Sequence, residues 1–372
     1  VNAANSFTWR RPDGSGFTTN GIADLIDADD VAKLTPRFGD RAIAVAALPF
    51  RGTNPLVVPA RVTHFDAAGA GASFELGDPD RWLEPPSSPP SLVRVPRRFV
   101  IEAIQDLSMW DAAVAAALAA IDDGVIEKVV LAREVVVEAD APFDVRSALD
   151  RLTRTQPGCY IYAQSGFANS GFIGASPELL VKRDDTRITS RPMAGTAARH
   201  EDPAADDRAV AMLQASTKDD LEHRLVIDWM RSVLGPCTKD LSVGPPQPER
   251  FTTVTHLTTA IHAELIDLDL TALDLARALH PTPAVGGAPQ RAALEAIERL
   301  EPFSRGNYAG AVGYVDAAGD GEFAVALRCA DIDGRRARLL AGAGIVAGSD
   351  PDLEWVETQA KLEPMLRCLV RP

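Results

Sequence analysis

YAGAVGYVD (308–316), EFAVALRCADI (322–332) and RARLLAGAG (336–344) follow one another with only short turn sequences between them. Each is apolar and of strand length, and the linkers carry Gly and Asp, which close tight turns. Three strands joined this way predict an antiparallel meander, not strands separated by crossover helices. Directly afterwards, SDPDLEWVETQAKLEP (349–364) reads as one helix, with Ser349 as N-cap and Pro351 inside the first turn.

The rest of the chain repeats this mixture without βαβ alternation. LSMWDAAVAAALAAIDDG (107–124) predicts a helix capped by Ser108 and ended by Gly124. EKVVLAREVVVEA (127–139) is a β-branched strand, FDVRSALDRLTRT (143–155) a helix and CYIYAQSG (159–166) a strand. FIGASPELLVKRDDTRITSRPMAGT (172–196) reads as a strand pair about Asp184–Asp185. TKDDLEHRLVIDWMRSVLG (217–235) is a helix capped by Ser216, and shorter helices fall at 271–280 and 288–299. Residues 1–100 are turn-rich with short strands, of which RAIAVAALPF (41–50) is a buried one; proline-dense PPSSPPSLVRVPRR (85–98) is a boundary loop. The pattern predicts an α+β fold. No repeat or glycine-rich nucleotide fingerprint is present.

Composition narrows the function. A chain of 372 residues buries a large core, and its net charge of −14 excludes non-specific nucleic-acid binding. A small anion would need locally concentrated positive charge. Cys159, Cys237, Cys329 and Cys368 have no CxxC spacing and read as buried thiols. No segment reaches the ~18 apolar residues of a membrane span and no apolar leader opens the sequence, so the expectation is a cytoplasmic protein off the membrane. Lysine supplies only six of the 38 basic residues, Lys33, Lys128, Lys182, Lys218, Lys239 and Lys361, which draws attention to each of them.

Four groups of residues could carry chemistry. Lys128 opens an apolar strand, either as a polar strand end or, if buried, as a base of lowered pKa. Glu178 in GASPELL (174–180) is a lone carboxylate among apolar neighbours, a strand-end residue or a buried general acid. Asp219 and Glu222 near a helix N-terminus, and Glu354 and Glu357 on the C-terminal helix, are two acidic pairs at i, i+3. The helix dipole accounts for the first pair alone, but facing one another the two pairs would suit Mg²⁺. Lys361 shares the stripe of Glu354 and Glu357, and Leu353, Val356 and Ala360 mark another face that can pack inward. Last, Arg328 on the middle meander strand, Tyr308 on the strand before it and Gly342 and Gly344 on the strand after it offer a fork, a phenol and backbone amides to a carboxylate, or else an ion pair and core packing.

Together these residues resemble the chorismate-utilising enzymes, closest to isochorismate synthase. The matching blocks, in the family's order, are EKVVLAR (127–133), GASPELL (174–180), RPMAGT (191–196), KDDLEHRLV (218–226), HPTPAVGG (280–287), RGNYAGAVG (305–313), ALRCA (326–330) and AGAGIVAGSDPDLEWVET (341–358), with Lys361. The resemblance implies one large α+β domain of two β-sheets with helices outside, residues 1–104 being its β-rich N-terminal part and 105–372 the chorismate-binding region. It implies Lys128 as base, Glu178 as acid, and Mg²⁺ on Glu222 and Glu357 with Asp219 and Glu354 behind them. Gly195, Thr196 and Lys361 would support the ring carboxylate. Arg328, Tyr308, Gly342 and Gly344 would hold the enolpyruvyl carboxylate, and His256 matches a position near the substrate. Lys128, Ala194 where aminating relatives carry lysine, and Ala284 after the HP motif favour isochorismate synthase; Tyr308 and Leu327 look more like salicylate synthase. Isochorismate formation is therefore the expectation, with salicylate synthase, or a non-catalytic chorismate-binding subunit, as alternatives. The product would serve siderophore or menaquinone synthesis, and a monomer without an obligatory protein partner is expected.

Overall fold

The computed structural model describes residues 6–77, 95–165 and 170–370, so most of the proline-dense boundary loop lies outside the described residues. Among the described residues are 21 strands and eight α-helices. Eighteen strands form one network and three form a small second sheet: Met193–Ala198, Val254–Thr258 and Gln247–Arg250. The expected α+β class with two sheets is what the chain adopts.

The network is antiparallel throughout and has two halves. One runs from Phe99–Ala103 through Lys128–Ala139, Arg336–Val346, Cys329–Asp333, Ser170–Ser176 and Tyr160–Ser165 to Ser6–Arg10 and Gly16–Ile26. The long strand Leu56–Phe65 pairs with Gly16–Ile26 and, at Val57, with Ile43–Leu48. From there the second half continues through Ala311–Asp316, Gly321–Val325, Leu179–Asp184, Arg187–Arg191 and Ile261–Leu265. Strand Ile43–Leu48 is buried at every position, as an apolar run without alternation requires.

The predicted meander is really two hairpins. Residues 322–332 are not one strand: Gly321–Val325 pairs with Ala311–Asp316 in one half, whereas Cys329–Asp333 pairs with Ser170–Ser176 and Arg336–Val346 in the other. Between them Arg328 has φ of 47°. A non-glycine residue in this left-handed region costs about 1–3 kcal/mol and persists only where its surroundings impose it. Here the Arg328 carbonyl is fixed by the Ala175 amide at 3.2 Å.

Two helix caps and one helix face differ from expectation. Asp106, whose carboxylate accepts the Met109 amide, caps Leu107–Asp122, and Ser108 donates to Asp106. The C-terminal helix spans Pro351–Val370 and its first amides, Asp352 and Leu353, bond Asp350; Ser349 is instead buried, accepting the Val346 amide. On that helix Leu353 and Val356 are exposed, and the buried face carries Glu354, Thr358, Leu362 and Met365. Hydrophobicity alone pointed the helix the wrong way because its polar stripe is turned into the protein.

Candidate active site

A pocket of about 660 Å³, including its mouth, opens where the small sheet, the C-terminal helix, helix Thr217–Leu234 and the strand pair 128–139/336–346 meet. That volume suits a small organic ligand. Of the residues singled out from the sequence, Glu178, Gly195, Thr196, Glu222, His256, Ala284, Tyr308, Arg328, Gly342, Gly344 and Lys361 line it. Lys128, Asp219, Glu354 and Glu357 stand behind this lining.

One end of the pocket holds a buried cation. Arg328 is buried, and among the described residues it pairs with no carboxylate. Its Nη2 lies 3.1 Å from His256 Nε2 and its Nη1 3.8 Å from Cys159 Sγ. An arginine can only donate, so Nε2 accepts and the imidazole carries its proton on Nδ1. Nδ1 in turn lies 3.1 Å from Thr196 Oγ1 and 3.3 Å from the Gly195 carbonyl. Burial, then the charges of Arg328 and Lys361, hold His256 well below its ordinary value, so it is neutral. A buried guanidinium with a soft thiol and a neutral imidazole for company lacks a counter-charge, which suits it to a carboxylate ligand. Burial raises the Tyr308 hydroxyl, which remains a donor beside Gly342.

At the other end three lysines meet three carboxylates. Lys128 is fully buried with Nζ 3.0 Å from Glu222 Oε1, but no well-directed hydrogen bond is made there. Lys218 pairs with Glu354 at 2.5 Å and Lys361 with Glu357 at 2.6 Å, and Lys361 also donates to the Gly342 carbonyl at 2.9 Å. Burial disfavours the charged form of Glu222, yet Lys128 and Lys218 outweigh it and hold this carboxyl below its ordinary value. Burial followed by the charge of Glu357 pushes Glu354 up despite Lys218.

Gly344 is required by Glu222: a Cβ there would lie 2.2 Å from Glu222 Oε1. This places Gly344 at the carboxylate end, while Gly342 lies beside Tyr308 and Lys361. Gly195, at φ of 80°, packs against Asp219, with its missing Cβ 3.1 Å from the Asp219 Cβ.

No group of three or more metal-binding side chains is preassembled among the described residues. The donor set nevertheless fits a hard divalent cation: it is all carboxylate oxygen, without thiolate or imidazole. Glu354 is raised by burial first and by the charge of Glu357 second, and added positive charge offsets the second of these.

Glu178 sits in the pocket wall after Pro177, 2% exposed. Burial raises its carboxyl to about 7, against the Met193 amide at 3.4 Å and the charges of Lys128 and Lys361. A proton donor thus stands in the pocket wall, and Lys128 reaches that wall through its pair with Glu222.

Sequence reading missed the apolar walls, Val130, Met193, Val285 and Leu340, which look like any other core residues. It also missed Lys218 as the partner of Glu354, because the scarcity of lysine marked all six lysines alike.

The profile described as chorismate binding enzyme matches residues 84–370. Isochorismate synthase DhbC of Bacillus subtilis is 44% identical over 260 residues, 68% of this chain and 65% of that protein. Isochorismate synthase EntC of Escherichia coli is 36% identical over 385 aligned positions, covering 98% of this chain and 94% of that one. The solved structure of MenF, the menaquinone-specific isochorismate synthase from Escherichia coli, matches with a TM-score of 0.86 at 28% identity, over 100% of this chain and 89% of that one.

Proposed function

Because the chain belongs to the chorismate-binding enzymes, we propose that it isomerises chorismate to isochorismate by adding water at C2 and expelling the C4 hydroxyl. The observation that carries this reading is Glu178, a buried carboxyl raised to about 7 in the wall of a pocket that is also lined by Glu222, whose Oε1 lies 3.0 Å from Lys128 Nζ.

Chorismate is a dianion, and the pocket has a cationic group for each carboxylate. Arg328 takes the enolpyruvyl carboxylate, with Tyr308 donating beside it. The ring carboxylate turns toward Lys361 and the backbone of Gly195–Thr196. Glu222 and Glu357 would hold Mg²⁺, with Asp219 and Glu354 behind them; the bound ion would supply positive charge for the ring carboxylate.

Lys128 is the group that takes up the proton of the water attacking C2. The ring double bonds shift, the C4–O bond breaks, and Glu178 gives its proton to the departing hydroxyl, which leaves as water. One water enters and one leaves, so the net change is an isomerisation. A positioned acid and base contribute roughly 10²–10⁴-fold each. His256, neutral and bonded to Arg328, orients the guanidinium instead of moving protons.

A second reading, pyruvate elimination to salicylate, draws on Tyr308 and Leu327, both in the lining. Isochorismate remains the main product in our reading because small Ala284 leaves room for the water. Incubation with chorismate and Mg²⁺, followed by chromatography, should give isochorismate in equilibrium with chorismate. Salicylate as the predominant product from the start would reverse the assignment.

A further inference from the structure

Among the described residues, strand Lys128–Ala139 has no strand partner along part of one edge. Arg336–Val346 pairs with it from Lys128 to Glu138 on the first edge. On the second, Gly287–Ala288 pairs with Val129 and Lys128, and Phe99–Ala103 takes over only from Val135. The backbone between is completed largely by side chains. Arg305 donates to the Val130 carbonyl at 2.7 Å, and Glu301 accepts the Ala132 amide at 2.8 Å. Gln105 bonds the Ala132 carbonyl and the Glu134 amide, each at 3.2 Å.

Arg305 and Glu301 form a buried bidentate pair at 2.5 and 2.9 Å. The same guanidinium reaches further, donating to the Val285 carbonyl at 2.7 Å. Val130, Ala284 and Val285 are pocket walls, and Lys128 lies two residues before Val130. The Arg305 carbonyl also accepts the Tyr308 amide at 3.0 Å, so a third wall is anchored at the same residue.

We propose that Arg305, held by Glu301, is a positioning residue for the reaction: it sets the separation between the Lys128 strand and the Ala284–Val285 wall, where the attacking water must fit. The proposal rests on the functional reading above. A guanidinium satisfies two carbonyls and a carboxylate at once through its planar fork, and lysine cannot reproduce that geometry. Without it, two buried carbonyls and a carboxylate lose a donor, and the Ala284–Val285 wall, tied to the strand otherwise by the Val130 amide donating to the Gly286 carbonyl at 2.8 Å, shifts to relieve them. Misplacement by an ångström or so costs on the order of 10²-fold in rate.

Two variants separate positioning from mere bracing. Arg305→Lys keeps the charge and removes the fork; Arg305→Met combined with Glu301→Leu removes the pair without leaving an unpaired charge. For each, thermal unfolding gives the folded fraction, and kcat, KM and the ratio of pyruvate to isochorismate are measured per folded protein. The expected result is a folded protein whose kcat falls at least ~10-fold, with KM changed less and the pyruvate ratio raised. Unchanged kcat, KM and product ratio in either folded variant would overturn the proposal, and so would failure of both to fold, which assigns the pair a structural role. The wild type is the control: if it makes no isochorismate, the functional reading falls and the proposal with it. If it does while the variants behave as it does, the proposal falls alone.

Discussion

Replacing Glu178 with glutamine should stabilise the protein in alkaline solution while removing its turnover. Burial holds the Glu178 carboxyl at about 7 against an ordinary 4.5. A carboxamide has the shape of a protonated carboxyl, so the variant keeps an acceptor for the Met193 amide and loses only the capacity to ionise. With its pKa raised in the fold, the native state binds more protons than the unfolded chain between those two values. Stability from this group is therefore full below 4.5 and is lost as pH rises through about 7. The whole shift corresponds to about 3 kcal/mol. Near pH 5 roughly 1 kcal/mol of that loss has already occurred, because the unfolded carboxyl is mostly ionised there. Urea unfolding of wild type and Glu178→Gln should thus diverge by about 2 kcal/mol more at about pH 8.5 than at about pH 5. Comparing two pH values cancels any fixed effect of the substitution. A gap that stays constant within about 0.5 kcal/mol would refute the idea that burial keeps Glu178 protonated.

Lys128→Ala should lower kcat at least ~10²-fold with a smaller effect on KM, and near-normal kcat would remove the lysine from the role of base. Glu357→Gln should abolish turnover and weaken Mg²⁺ binding in titration calorimetry without unfolding the protein, and chelation should likewise stop the wild type; undiminished activity after exhaustive chelation contradicts the metal assignment. Gly344→Ala should also be inactive, because its Cβ would meet Glu222 at 2.2 Å; full activity would show that Glu222 can move aside freely.

Much of the architecture was legible because it depends on local pattern. The buried strand at 43–48, the 128–139 strand and the Ser216 cap all follow from runs and caps that hold wherever the chain goes. The break at Arg328 was not legible: 322–332 is a continuous apolar run, and its division follows from pairing with two different halves of the sheet network. The C-terminal helix misled for the opposite reason. Glu354 is buried and Lys361 lines the pocket, and rules built on burying hydrocarbon assign such a stripe to solvent. Glu178 was identifiable as an isolated carboxylate among apolar neighbours. The lysine–carboxylate pairings were not, since Lys128–Glu222 and Lys218–Glu354 join distant segments.

Water attack at C2 is the central claim, and isotope labelling tests it most directly. The protein is incubated with chorismate and Mg²⁺ in water enriched in heavy oxygen, and the products are separated and analysed by mass spectrometry. The account predicts isochorismate carrying one solvent oxygen, located on C2 by fragmentation, and its loss when Lys128→Ala replaces the wild type. Unlabelled isochorismate, or salicylate and pyruvate from the first turnovers with no labelled intermediate, would contradict it.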